Sequence, residues 1–253
     1  MSNQRKTSRP PRRWVTAALA AAILPAPFHV FAQSGDSRAP NCTDDAMIVF
    51  DASGSMSGML RTGVRVSRID QVRAALEIVL PQVERHRNIG LIVYGPEHQA
   101  ANRHKPQCEN ISLRFSPMPN SAQPIIKEVN GLVPSGVTPL TDAIALAAEE
   151  LRFREKPAVV VLFTDGQETC GGAPCATVRS LLGEAAGLTV HVINYSIEDP
   201  FGIRQPFGAT CIADETGGLY VPVQTLEELV AAFRKALECP ALTELDELDE
   251  LGE

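Results

Sequence analysis

Two periodicities take turns along this chain. Short uncharged apolar runs at 46–50, 88–94, 158–163 and 188–194 read as strands buried in a sheet. Between them apolar residues recur three and four apart, as in Ile69, Val72, Leu76, Val79, Leu80 and Val83, and again in Leu140, Ile144, Ala147, Ala148 and Leu151. A third such set is Leu226, Leu229, Val230, Phe233 and Leu237, and each set predicts a helix with one face on the sheet. Ile125, Ile126, Val129 and Leu132 predict a shorter helix, residues 173–186 another, and 211–216 one that Gly217 ends. Residues 111–115 alternate like a half-exposed edge strand, and 219–221 supply a last strand. Thr225 with Glu228 forms a capping box before the final helix. Residues 59–68 and 97–107 read as exposed excursions. Strands alternating with helices predict an α/β fold: a doubly wound, mostly parallel central sheet of about six strands, one of them an antiparallel edge strand, flanked by helices.

Three polar loops in this pattern carry chemistry. Asp51-Ala52-Ser53-Gly54-Ser55 follows the first apolar run, so one carboxylate and two hydroxyls stand at alternate positions, with Gly54 letting the backbone fold between them. Such donors are hard oxygens. They suit Mg2+ or Mn2+, with Ca2+ a further candidate, and not zinc, which takes nitrogen and sulfur. Gly136-Val137-Thr138-Pro139-Leu140 enters a helix, and Thr164-Asp165-Gly166 leaves the strongest apolar run.

Taken in order, these three loops resemble the metal-ion-dependent adhesion site of von Willebrand factor A-type domains. The likeness spans about 45–239 and extends to Thr216-Gly217-Gly218 before the last strand. Carried over position by position, it implies Asp51, Ser53, Ser55, Thr138 and Asp165 as metal ligands. It also implies a binding mode in which an Asp or Glu of a partner protein completes the metal's shell. Asp142 is a candidate for the outer shell, although an aspartate in a first helical turn also serves the helix dipole. Glu168 is a candidate third carboxylate. His98 and His104, six apart in a polar loop without a third ligand, read as solvated. His191, inside a strand, reads as packed.

The ends of the chain differ from its middle. Arg5, Lys6, Arg9, Arg12 and Arg13 precede an apolar run from 14 to 24, and Val30-Phe31-Ala32 follows, which reads as a signal peptide over 1–32. That run is about half the length that spans a bilayer, so no stable membrane span is expected after cleavage. Periplasmic or secreted localisation follows, by the Sec or the twin-arginine route. Removal of 1–32 leaves 18 Lys and Arg against 30 Asp and Glu, and this acidic field disfavours nucleic acid as a partner. Residues 33–44 are polar, and 240–253 form an acidic tail in which Leu242, Leu245, Leu248 and Leu251 hold no single helix face. Oligomeric state is not encoded legibly.

Six cysteines in an exported chain favour disulfides. Cys42 and Cys239 fall at the same end of such a sheet and are expected to pair. Cys170 and Cys175 either close a local loop or reach Cys108 and Cys211, and a four-cysteine zinc site is the rival arrangement. The expected function is a divalent-metal-dependent protein-binding module of the bacterial cell envelope, for adhesion or assembly, and not an enzyme. The alternatives are a metal-dependent hydrolase using Ser53 or Ser55, and a purely structural metal site. Neither serine has a histidine partner in a recognisable motif, and no Gly-x-Ser-x-Gly elbow or phosphate-binding Gly-Lys loop occurs.

Overall fold

A computed structural model describes residues 42–59, 66–96, 107–195 and 209–238. Six strands form one sheet: β1 (Asp45–Asp51), β2 (Asn88–Tyr94), β3 (Ile111–Met118), β4 (Ala158–Thr164), β5 (Leu188–Tyr195) and β6 (Tyr220–Val223), in the order β3-β2-β1-β4-β5-β6. All neighbours run parallel except β2 and β3, which are antiparallel. The expected doubly wound sheet with one antiparallel edge strand is therefore what the chain adopts. β3 runs three residues further than its alternating stretch, and its pairing with β2 is irregular around Leu91. At the other edge, Pro222 sits in β6, where a missing amide is tolerated.

Among the described residues six α-helices cover the sheet: α1 (Arg68–Val83), α2 (Ala122–Gly131), α3 (Leu140–Glu150), α4 (Pro174–Leu182), α5 (Thr210–Thr216) and α6 (Leu226–Leu237). Each strand residue faces the opposite side from its neighbour. Ala46, Ile48 and Phe50 of β1 thus pack with α1, α2 and α6, while Met47 and Val49 pack with α3, α4 and α5. β4 is buried at all seven positions, as its β-branched, uncharged sequence requires. Phe163 stacks between Phe50 and Phe233, with ring centroids 5.9 and 6.0 Å away, and so ties the sheet's centre to α6. The capping box of Thr225 and Glu228 forms in both directions.

Two boundaries differ from the sequence pattern. α4 ends at Leu182 and not at 186, because Gly183 follows and the Ala186 amide is taken by the Phe153 carbonyl at 2.9 Å. Arg68, expected to close an exposed excursion, instead opens α1 with a side chain only 12% exposed.

Cys108 pairs with Cys170, and Cys175 with Cys211, so the long-range alternative holds in place of a local loop or a zinc site. Cys42 is disulfide-bonded as well, while its expected partner Cys239 lies outside the described residues. So do the signal peptide, the acidic tail, His98 and His104. Among the described residues, no helix is long and apolar enough to cross a membrane.

Candidate functional site

β1 lies beside both β2 and β4, and the chain turns to opposite sides of the sheet from this pair of boundaries. Ligand sites in open α/β sheets form where strand order reverses, beyond the carboxyl ends of the strands. The first candidate loop leaves β1 here, and the third leaves β4. β1 and β4 end level, since Phe50 pairs with Phe163 just before Asp51 and Thr164.

Main-chain bonds hold the three loops against one another. The Gly54 amide donates to the Gly136 carbonyl at 3.2 Å and the Ser135 amide to the Ala52 carbonyl at 3.0 Å, joining first loop to second. Thr169 donates its amide to the Thr138 carbonyl at 3.1 Å, and the Thr138 amide donates to the Thr169 hydroxyl at 2.8 Å, joining second to third. Gly95, after β2, supports the first loop from behind. Its φ of +105° is open to glycine, and a Cβ there would lie 2.5 Å from the Ser53 nitrogen.

The side chains converge on this frame. Asp51, fully buried, accepts the Ser53 amide on Oδ1 at 2.8 Å and the Thr164 hydroxyl on Oδ2 at 2.7 Å. The Ser53 and Ser55 hydroxyls are 3.0 Å apart, and Ser55 donates to Asp165 Oδ1 at 2.5 Å. Thr138 Oγ1 belongs to the same cluster: a Cβ on Gly166 would lie 3.7 Å from it and 3.7 Å from Ser55 Oγ. All five residues taken from the sequence pattern are thus brought together, four of them buried and Ser55 exposed.

Electrostatics mark the cluster as short of positive charge. Burial, and then the neighbouring Asp165 carboxylate, push Asp51 up from the ordinary carboxylate range, against the bonds from Ser53 and Thr164. Burial, and then the Asp51 charge, push the fully buried Tyr94 hydroxyl beside it well above its usual value. Among the described residues, no three His, Cys, Asp or Glu side chains are grouped to hold a metal. The set is of another kind, two carboxylates and three hydroxyls, and such hard oxygens fit Mg2+ or Mn2+ with water filling the rest of the shell. One guanidinium, that of Arg68 on Asp165, stands against the two carboxylates, and the negative charge left over is the observation that makes the donors fit a further cation.

Two acidic candidates do not join. Asp142 lies exposed in the first turn of α3. Glu168 turns to that helix's start: Oε2 accepts the Thr141 amide at 2.8 Å and its hydroxyl at 2.7 Å, and Oε1 accepts the Cys170 amide at 2.7 Å. It satisfies free helical amides and is fully engaged there. His191 is packed, as expected, with Nδ1 accepting the Leu219 amide at 3.0 Å.

Arg68 is the residue the sequence reading missed. Its guanidinium bonds Asp165 Oδ2 and, at 3.0 Å, the Ser55 carbonyl. One signal was available: a cation in a first helical turn opposes the helix dipole and needs a nearby anion.

Known proteins share this architecture. Residues 46–167 match the model of the von Willebrand factor type A domain. The chain is 28% identical over 189 residues to the uncharacterized protein YwmC of Bacillus subtilis (strain 168), covering 74% of this chain and 79% of YwmC. To YwmD of the same organism it is 26% identical over 193 residues, covering 74% of this chain and 82% of YwmD. Among solved structures, the PilB minor pilin of Streptococcus sanguinis superimposes with a TM-score of 0.54 at 18% identity, over 76% of this chain and 60% of the pilin. Manganese-loaded TRAP of Plasmodium vivax gives 0.51 at 16% identity, over 80% of this chain and 76% of that one. Identities this low speak for the fold alone. With the family match over the three loops and the sheet order that places them together, residues 46–167 are those of a von Willebrand factor type A domain.

Proposed function

We propose that the domain is a divalent-metal-dependent protein-binding module of the cell envelope, serving adhesion or assembly and not catalysis. Asp51, Ser53, Ser55, Thr138 and Asp165 would hold Mg2+ or Mn2+. A bound ion supplies a Lewis-acidic position open to an outside oxygen, and a carboxylate from an Asp or Glu of a partner protein is the group suited to it. The chain's own part is to fix the five oxygens before the partner arrives, through the bonds that strap loop to loop. Ser55 is the exposed member of the set and so stands where a partner approaches.

The observation that carries this reading is the convergence of two carboxylates and three hydroxyls from three loops, with Asp165 raising Asp51. The hydroxyls of Ser53 and Ser55 are bonded to each other, and that of Ser55 donates to Asp165, an arrangement suited to ligation more than to nucleophilic attack. The minor pilin and the manganese-loaded protein of the same fold are compatible with this reading, which rests on the site's own geometry. Two disulfides, with Cys42 also bonded, support an oxidising compartment and hence export through the segment 1–32.

Titration calorimetry with MgCl2 and MnCl2 tests the site, and capture of partners from envelope extract tests the role. Uptake of one ion, lost in Asp51→Ala, with partners recovered only without chelator, is the expected result. Equal recovery by wild type, chelated protein and Asp51→Ala would defeat the binding role.

A further inference from the structure

Arg68 is placed where a surface arginine has no reason to be. It is the first residue of α1, and Ser67 caps that helix, so the helix's positive end repels the guanidinium. The side chain nevertheless runs inward, 12% exposed, to reach an aspartate 97 positions away whose side chain is fully buried. Room has been made for it. Gly58 lies under the guanidinium, where a Cβ would stand 3.1 Å from Cζ and 3.2 Å from Nη2, and the Gly58 carbonyl accepts the Arg68 amide at 3.0 Å.

We propose that Arg68 is a resident counter-cation of the metal site, which competes with a divalent ion for Asp165 and so weakens ion binding while holding the loops together when no ion is bound. The proposal rests on the metal-binding reading above. Asp165 accepts from Ser55 on Oδ1 and from Arg68 on Oδ2, so the carboxylate offered to a cation is already partly neutralised. A divalent ion arriving at the same oxygens meets a positive charge beside it. Without Arg68 the balance inverts: a buried carboxylate beside Asp51 is left unpaired, which costs stability, and its whole charge is available to an ion. Arg68 therefore makes ion occupancy responsive to ion supply.

Opposite effects on two measurements test this. Arg68→Met keeps the aliphatic stem and removes the charge, and Arg68→Gln is a second neutral variant. With ion removed by EDTA, both are expected to melt about 5 °C or more below wild type. In calorimetry both should bind Mg2+ about tenfold more tightly, the size of a charge repulsion near the protein surface. Arg68→Lys, which keeps the charge, should bind Mg2+ within about threefold of wild type. Uptake by the neutral variants where wild type takes up none also supports the proposal. Neutral variants with unchanged or weaker affinity overturn it, as does Arg68→Lys behaving like Arg68→Met. It also falls if both neutral variants stay unfolded at saturating Mg2+, because the ion should replace the lost cation. Absence of Mg2+ and Mn2+ uptake in all four proteins is a different failure: it removes the metal-binding reading itself, and the proposal with it.

Discussion

The Thr164 hydroxyl donates to Asp51 Oδ2 at 2.7 Å, so the end of the central strand β4 holds the buried carboxylate of the neighbouring β1. Both oxygens of Asp51 are thereby occupied, the other by the Ser53 amide. A fully buried carboxylate is tolerable only when hydrogen-bonded. Thr164→Val preserves shape and removes the donor. It should destabilise the protein by about 2 kcal/mol, read by urea denaturation in EDTA, and a loss below about 0.5 kcal/mol would show that Asp51 does not depend on it.

Gly95 and Ser53 touch across the back of the first loop. The neighbours of an added Cβ are main-chain atoms, the Ser53 nitrogen at 2.5 Å and the Ala52 carbonyl carbon at 2.6 Å, and the φ of +105° is itself costly for any other residue. Gly95→Ala should therefore cost about 2–4 kcal/mol and shift the loop that carries Ser53 and Ser55. Thermal melts and Mg2+ calorimetry should fall together. A stable variant with normal uptake would contradict the close packing described.

The Cys108–Cys170 bond ties the segment before β3 to the third loop, five residues beyond Asp165, whereas Cys175–Cys211 ties α4 to α5 away from the candidate ligands. Their sequence separations of 62 and 36 give similar chain-entropy stabilisation, about 4 kcal/mol each. The two should differ in the site. Replacing Cys108 and Cys170 by serine should lower both stability and Mg2+ affinity, while the same change at Cys175 and Cys211 should lower stability alone. Calorimetry on the two double variants decides it, and equal affinities would count against any hold of the first disulfide on the third loop.

His191 supplies a pH dependence away from the candidate metal site. Burial, with a contribution from the Arg87 charge, lowers its pKa from 6.5 to about 4, and its Nδ1 must stay unprotonated to accept the Leu219 amide. The unfolded chain therefore binds the proton more readily than the folded one. Stability from this residue is complete above about pH 6.5, declines as pH falls through that window, and is lost by about pH 4, a change on the order of 2–3 kcal/mol. Denaturation in EDTA from pH 7 to 4 should show this slope in wild type and a shallower one in His191→Gln. Parallel slopes would remove His191 as its source.

Much of the fold was legible in local pattern. The apolar runs that became β1, β2, β4 and β5 are uncharged because both sheet faces are covered, and the helix faces followed from spacings of three and four. Where an element was misjudged, a distant contact intervened, as when the Phe153 carbonyl captured Ala186 and shortened α4. The ligand candidates were legible for a related reason: each is tied to a strand end or a helix start, so knowing the alternation was enough to send them to one edge.

By itself, then, the amino-acid sequence determined the order and type of the elements, the doubly wound class and the three oxygen-bearing loops, since these depend on periodicities carried by neighbouring residues. Only the tertiary structure decided which charges meet. It spent Glu168 on the start of α3, paired Cys108 with Cys170 and Cys175 with Cys211, and set Arg68 against Asp165. Those outcomes depend on strand order and on the depth at which two segments far apart in the chain come to lie, and no local pattern carries either quantity.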